Sequence, residues 1–356
     1  MNHQFVTQPT PPLGPDLLGT YPIRRIDDGR LRAELMDSAL SDSSTRVLML
    51  DQGKVPTAWS EGRAGVAWVA PTEGLDVVAY LGTSEDGAPI LLARAPHTRP
   101  EDLQAGDPWP EEHEQNSQIG GENIQWLGLR DAAPVLSKEE STWLSIGIAL
   151  MNWHSSYKFC PTCGSPCHPD PTGWVRICES EGRELFPRTD PAVISAVVHT
   201  DDSGVDRLLL GHSASWPEDR YSTFAGFVES GESLEAAVAR EIYEEAGVEI
   251  DEATYLGSQP WPFPRSLMLG FVAHATRLES ARPDGKEISS VRWFTRDELE
   301  TAVSSAEIRL PDSVSIAHHL IANWYGGPLP QSPADSDDRG PSGDDYQSDT
   351  EEATQR

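Results

Sequence analysis

GFVESGESLEAAVAREIYEEAGV, residues 226–248, is a Gly-rich loop running into a helix. Glu, Leu, Ala and Arg dominate from Glu232 to Ala246, and Gly247 supplies a stop. Leu234, Val238 and Ile242 recur four residues apart, a stripe that packs on a sheet. Glu241, Glu244 and Glu245 are spaced i, i+3, i+4, which gathers three carboxylates on one helix face. Like charges at that spacing repel. The bland reading is a solvated acidic face offset in part by Arg240; the chemical one is a hard cation such as Mg²⁺ or Mn²⁺ held by oxygen ligands.

Around this segment the pattern is that of an α/β fold. Residues 192–198 (AVISAVV) and 207–211 (RLLLG) read as buried strands flanking a turn at 201–204, and Thr223–Phe227 leads into the Gly-rich loop. Upstream, residues 46–50 and 76–81 are strand-like, and residues 84–87 (SEDG) make a turn into residues 89–93, which predicts a hairpin. Trp143 to Trp153 fits a helix that reaches a cluster of cysteines. All 4 cysteines of the 356-residue chain, Cys160, Cys163, Cys167 and Cys178, lie within 19 residues. That crowding reads as a metal site rather than a disulfide framework.

The chain carries 57 acidic and 27 basic side chains, a formal charge of −30. Such a charge argues against a general basic surface for DNA, RNA or anionic lipid. No apolar run approaches the length of a membrane helix, and the N-terminus has neither a basic nor an apolar leader region. The expectation is a soluble, cytoplasmic protein with no membrane or DNA partner.

Residues 226–248 fit the Nudix box, G-x5-E-x7-R-E-U-x-E-E-x-G-U with U apolar: Gly226, Glu232, Arg240, Glu241, Ile242, Glu244, Glu245, Gly247 and Val248 fill every specified position. A second string, Ser258 to Arg265 (SQPWPFPR) followed by Ser266, resembles the SQPWPFPxS array of NADH pyrophosphatases of the NudC type. The style of residues 185–191 (LFPRTDP) and 267–271 (LMLGF) is similar, so the likeness runs from about Trp153 to Trp324.

The resemblance implies an α/β/α sandwich around a mixed sheet. Ahead of it come a zinc-ribbon-like segment and an α+β N-terminal domain. It implies metal-dependent hydrolysis of the pyrophosphate bond of NADH or NAD⁺ to NMNH or NMN and AMP, action on NAD-capped RNA 5′ ends, and a homodimer. It implies that Glu241 and Glu245 bind Mg²⁺ or Mn²⁺ with help from Glu244, from the Ala225 backbone and from Glu287. Glu232 and Arg240 become a structural pair. Phe227 would stack on the nicotinamide, and Gln259, Pro260, Trp261, Pro262, Phe263, Pro264, Arg265 and Ser266 would line the dinucleotide pocket. Ala317 would touch substrate through its backbone, and Phe186 stands where many relatives carry Tyr. Read from the residues alone, three prolines in five positions make a stiff loop that either presents Trp261 and Phe263 to a ring or packs them on the core.

Cys160-x2-Cys163-x14-Cys178 is three-quarters of a zinc-ribbon frame. In the family a fourth Cys follows three residues after the last; here that position is Glu181. Either Glu181 or the extra Cys167 completes a structural Zn²⁺ site, or the ribbon holds no metal.

The expected organisation is a loose lead-in over 1–20, an N-terminal domain over 21–153 with no chemical motif, a ribbon over 154–187, a Nudix domain over 188–325 and a disordered acidic tail over 326–356. Residues 331–356 hold 8 acidic and 2 basic side chains and almost nothing apolar. Two other functions fit parts of the pattern: a Nudix hydrolase of another nucleoside diphosphate such as ADP-ribose, and a non-catalytic nucleotide sensor, for which eroded glutamates are the expected mark.

Overall fold

The computed structural model describes residue 13 and residues 17–23, 32–60, 62–95 and 124–332. The described residues divide into two compact units, one within 18–189 together with 261–265, the other holding residues 13 and 17 with 190–260 and 266–332.

In the first unit, helix α1 (Arg32–Ser41) precedes strands β1 (Arg46–Leu50), β2 (Lys54–Ser60), β3 (Arg63–Val66), β4 (Asp76–Thr83) and β5 (Pro89–Arg94). Strand β6 (Ile124–Gly128) and helices α2 (Leu129–Ala132) and α3 (Lys138–Ser156) follow. The strands form two three-stranded sheets, β1-β5-β4 and β3-β2-β6. The expected hairpin is β4–β5, antiparallel, closed where Ser84 N–H donates to Ala88 O at 2.9 Å. Alternation along β1 explains its apolar run. Leu48 and Leu50 face a core shared with Trp143, Leu144 and Ile148 of α3, while Val47 and Met49 pack with Ala39 of α1. Helix α3 starts on a capping box in which Ser137 and Glu140 exchange hydrogen bonds, so it begins five residues before the apolar stretch that announced it.

The ribbon, β7 (Cys167–Pro169), β8 (Arg176–Cys178) and β9 (Glu184–Leu185), belongs to this same unit. Gly173 marks its seat. Its φ is +77°, and a Cβ there would lie 2.1 Å from the Val78 carbonyl oxygen of β4. Tyr80 N–H donates to Thr172 O, the Trp174 indole donates to Tyr80 O at 2.7 Å, and His154 of α3 bonds Gly173 O at 2.8 Å through Nε2. Arg176 donates to His154 Nδ1 at 3.1 Å, so the imidazole is neutral with its proton on Nε2, and burial holds its pKa below the usual histidine value. Gly173→Ala combines an unfavourable backbone angle with a clash against main chain. It should destabilise the unit by about 3 kcal/mol or more, read as a lowered thermal midpoint; an unchanged midpoint would place the ribbon elsewhere.

The second unit comprises β10 (Asp190–Thr200), β11 (Asp206–Ser213), β12 (Phe224–Phe227), α4 (Leu234–Ala246), β13 (Ile250–Trp261), β14 (Ser266–Ala275), β15 (Ile288–Phe294), α5 (Arg296–Ser304) and α6 (Ile316–Tyr325). Its six-stranded sheet runs β13-β14-β10-β11-β15 with β12 also paired to β10. The sheet is mixed: β10 runs parallel to β14 and antiparallel to β11 and β12. Both faces are covered, which is why β10 is buried on both sides from Ala192 to Val198. Ile194, Ala196 and Val198 pack with residues of α5 and α6, while Val193 and Val197 pack with Ala237, Val238 and Ile242 of α4. This is the expected α/β/α sandwich.

Leu17 and Leu18, expected in a loose lead-in, are buried, because each finds an apolar core: Leu17 joins the α5–α6 core and Leu18 the α3 core. Residues 1–12 and 14–16 of that lead-in, and residues 333–356 of the acidic tail, lie outside the described residues. The start of the expected disordered tail is instead ordered: Gly326 caps α6, Leu329 packs on the α5–α6 core and Ser332 is buried. Among the described residues no helix is long and apolar enough to cross a membrane.

Candidate active site and metal clusters

Helix α4 is fixed at both ends by its sequence. The Ser233 hydroxyl accepts from Ala236 N–H at 3.2 Å, and Gly247 closes the helix at φ +65°. Val238 and Ile242 anchor one side to the sheet. Arg240 then ties loop to helix. Its guanidinium donates twice to Glu232, at 2.8 Å each, to Glu241 Oε1 at 2.7 Å and to Phe227 O at 2.9 Å. The Arg240 bonds, with one from Glu229 N–H, hold the Glu232 carboxyl down to about 2 against an ordinary 4.5. Such a group contributes its stability in full above pH 4.5 and gives it up as pH falls through about 2. Wild type and Glu232→Gln should therefore differ in thermal midpoint at neutral pH and converge in strong acid; equal midpoints at neutral pH would remove the pair from the stability account.

The three carboxylates do not share one environment. Glu244 points outward with 60% of its side chain exposed, whereas Glu241 is 15% exposed and Glu245 9%. Burial pushes Glu241 above the usual carboxylate range, against the pull of Arg240. Glu245 is pushed to about 8, first by burial and then by the charges of Glu241, Glu287 and Asp284, with the Ala225 amide opposing. Its Oε2 is buried and has no hydrogen-bond partner. Gly226 leaves the room: a Cβ there would sit 2.0 Å from Glu241 Cδ.

One positioning group escaped the sequence reading. Asp284 accepts from Ile288 N–H at 2.8 Å and from Glu287 N–H at 3.2 Å, folding the 284–288 turn that carries Glu287 toward α4. The Asp284-Gly285 dipeptide was its available signal.

Hard oxygen donors, mutual repulsion and an orphaned buried carboxylate oxygen fit a divalent cation such as Mg²⁺ or Mn²⁺. The residues able to hold it are Glu241, Glu245 and Glu287, with the Ala225 backbone beside them.

Pocket residues expected from the SQPWPFPRS string divide. Gln259 is a correction: it is 0% exposed, and both ends of its carboxamide are spent on main chain. Its Nε2 donates to Val314 O at 2.7 Å and its Oε1 accepts from Ile316 N–H at 2.8 Å, which pins the start of α6. Ala317, in that first turn, is buried and its N–H is engaged by the Ser315 hydroxyl. Ser266 is buried at the head of β14. Phe263 packs against the α3 core rather than standing free, and Trp261 meets it edge-on at 5.3 Å. Arg265 lies 5.9 Å from the Tyr157 ring. Phe227 and Phe186 are about half exposed, each available for stacking.

In the ribbon, ligand atoms of Cys160, Cys163, Cys178 and Glu181 all lie within 4.8 Å of one another. Cys167 is outside that group; it faces Cys178 across the β7–β8 pair, with its thiol 3.8 Å from Ser165 O. Of the two candidate fourth ligands, Glu181 is the one gathered in. Amides of Cys163 and Thr162 lower the Cys160 thiol to about 7, which favours the thiolate that zinc takes.

Residues 189–312 match the NUDIX domain family and residues 155–186 the NADH pyrophosphatase zinc ribbon domain. The chain thus carries a Nudix domain with an NADH pyrophosphatase zinc ribbon directly before it. It is 44% identical over 206 residues to the NAD-capped RNA hydrolase NudC of Mycobacterium bovis (strain BCG / Pasteur 1173P2), covering 56% of this chain and 64% of that protein. The NudC of Mycobacterium tuberculosis (strain ATCC 25618 / H37Rv) gives the same values. The human NAD-capped RNA hydrolase NUDT12 is 37% identical over 200 residues, 53% of this chain and 42% of that protein. The match therefore spans somewhat less than two thirds of the first curated relatives. Among solved structures, a NUDIX hydrolase from Nitrosomonas europaea is similar at 22% identity and a TM-score of 0.36, over 49% of this chain and 97% of that one.

Proposed function

We propose that this chain hydrolyses the pyrophosphate bond of NADH and NAD⁺, releasing NMNH or NMN and AMP, and acts on the same bond in an NAD-capped RNA 5′ end. The observation that carries the chemistry is Glu245: a buried carboxylate with an unpartnered oxygen, set among Glu241, Glu287 and Asp284. The substrate class is supported by the likeness of the ribbon to the NADH pyrophosphatase zinc ribbon domain and by the curated relatives, which are named NAD-capped RNA hydrolases. An eroded box would have favoured a silent sensor, and every box glutamate is present.

A divalent cation, when bound, neutralises phosphate charge and raises the acidity of water. The chain's own residues do the rest. Glu241 and Glu245 would hold the cation, and Arg240 keeps Glu241 oriented. Glu287, on its Asp284-folded turn, would serve either as a further ligand of the cation or as the base that accepts the proton of the attacking water. Phe227 offers a half-exposed face to the nicotinamide. The 261–265 loop bounds the dinucleotide.

We assign a structural Zn²⁺ to Cys160, Cys163, Cys178 and Glu181. Protein purified without chelator should hold about one equivalent. Glu181→Ala should lose most of it and Cys167→Ser should keep it; less than about a tenth of an equivalent in wild type sinks the assignment. The active form in this reading is a homodimer, so sedimentation should give twice the 39.0 kDa chain mass, and a monomer that turns over NADH at full rate contradicts it.

A further inference from the structure

The 260–264 segment, Pro-Trp-Pro-Phe-Pro, has a physical problem that its sequence creates and cannot solve. Three of its five residues lack an N–H, and β13 ends at Trp261, so no backbone ladder continues through Pro262, Phe263 and Pro264. Within it, Phe263 N–H donates to Trp261 O at 2.8 Å, a short-range bond. A loop of that kind needs donors from elsewhere, aimed at its carbonyls.

Asn152, near the end of α3, supplies them. Its Nδ2 group donates to Pro262 O at 2.8 Å and to Pro264 O at 3.2 Å, across 110 and 112 residues of sequence. The two hydrogens of one carboxamide serve two carbonyls two residues apart. Ala or Leu at that position has no donor, and Asp would set a carboxylate against two carbonyl oxygens. Around this fork the loop is held again. The Arg130 guanidinium lies 5.0 Å from the Trp261 ring, and Phe263 packs against the core built by α3. Every one of these groups comes from the domain in which the sequence offers no chemical motif.

We infer that Asn152, supported by Arg130, is a positioning residue for substrate: the fork sets the conformation of the 261–265 loop and thereby the affinity for the dinucleotide. The N-terminal domain then contributes to specificity as a clamp rather than as a scaffold alone. The inference rests on the reading of this loop as part of the NAD(H) site.

Two measurements on the full chain test it. Hydrogen exchange of the peptide spanning 259–267 reports the clamp without any reference to activity. In Asn152→Ala and in the near-isosteric Asn152→Asp, its amides should exchange about tenfold faster or more, while α3 itself is unchanged. Steady-state hydrolysis of NADH with Mg²⁺ should then show KM raised about tenfold to thirtyfold with kcat within about threefold, as expected for two lost hydrogen bonds. Arg130→Ala should shift KM in the same direction by a smaller factor, and Asn152→Gln, which keeps the donors on a longer arm, should recover part of the loss. Unchanged loop exchange in both Asn152 variants overturns the clamp. Faster exchange with an unchanged KM overturns its role in binding. A wild-type protein that leaves NADH intact is a different result: it sinks the functional reading, whereas an active wild type whose variants keep KM sinks only this inference.

Discussion

Glu245→Gln should lower kcat for NADH by about three orders of magnitude or more while leaving the fold intact. The two halves of that expectation have one cause. Glu245 is almost fully buried, its Oε2 has no hydrogen-bond partner, and three other carboxylates face it. An anion in that setting destabilises the metal-free protein, because the Ala225 amide offsets only part of its lost hydration. Gln has the same shape and no charge. In the presence of chelator the variant should therefore melt at or above the wild-type temperature. With Mg²⁺ or Mn²⁺ added, wild type should gain stability by mass action and the variant should gain much less. Turnover within tenfold of wild type would remove Glu245 from the site. A variant that melts several degrees lower in chelator would show that the carboxylate has a structural partner after all.

Gly226→Ala should be almost as damaging, by a steric route. The added Cβ would fall 2.0 Å from Glu241 Cδ and 2.1 Å from its Oε1, closer than any real contact. What must move is the far end of a flexible side chain, so the helix and sheet survive and the carboxylate leaves its place. Glu241 would also lose its registry with Arg240, now 2.7 Å from Nη1. The expected result is a fall in kcat of about a hundredfold and a weaker Mg²⁺ requirement curve, with the far-ultraviolet spectrum unchanged. Retained activity with wild-type metal affinity would mean that the loop backbone, rather than Glu241, yields to the methyl group. Both substitutions act on the proposed cation site by different means, so the double variant should be little worse than Glu245→Gln alone.

Much of this arrangement was legible in the sequence because it is local. The box places Gly226, Glu232, Arg240 and the glutamates in one fixed frame, and helix periodicity alone puts Val238 and Ile242 on the sheet side. The ribbon was legible in part for the same reason: spacing alone frames Cys160, Cys163 and Cys178, but it left the fourth position open between Glu181 and Cys167, and only the fold gathers Glu181 in. What escaped was non-local. Gln259 belongs to a string that reads as pocket lining, yet its carboxamide finds two main-chain partners at Val314 and Ile316, more than fifty residues on. Asn152 and Arg130 carry no motif, and their partners lie in a loop more than a hundred residues downstream. Equal spacing also concealed unequal burial. Glu244 lies on the same stretch of helix as Glu241 and Glu245 but is mostly solvated, whereas Glu241 lies against Gly226 of β12.

The charge balance takes on a definite meaning in this setting. The formal −30 excludes a broad basic phosphate-binding surface. The cationic groups near the box glutamates are few, and the guanidinium closest to them, Arg240, is committed to Glu232 and Glu241. Divalent cation therefore has to supply most of the neutralisation of a pyrophosphate, and substrate affinity should fall with the metal.

The central claim is tested most directly by incubating the full chain with NADH and Mg²⁺ or Mn²⁺ and separating the products. The account predicts NMNH and AMP in equal amounts, none in chelator, and ADP-ribose cleaved more slowly than NADH under the same conditions. Intact NADH, or ADP-ribose cleaved much faster, would contradict it.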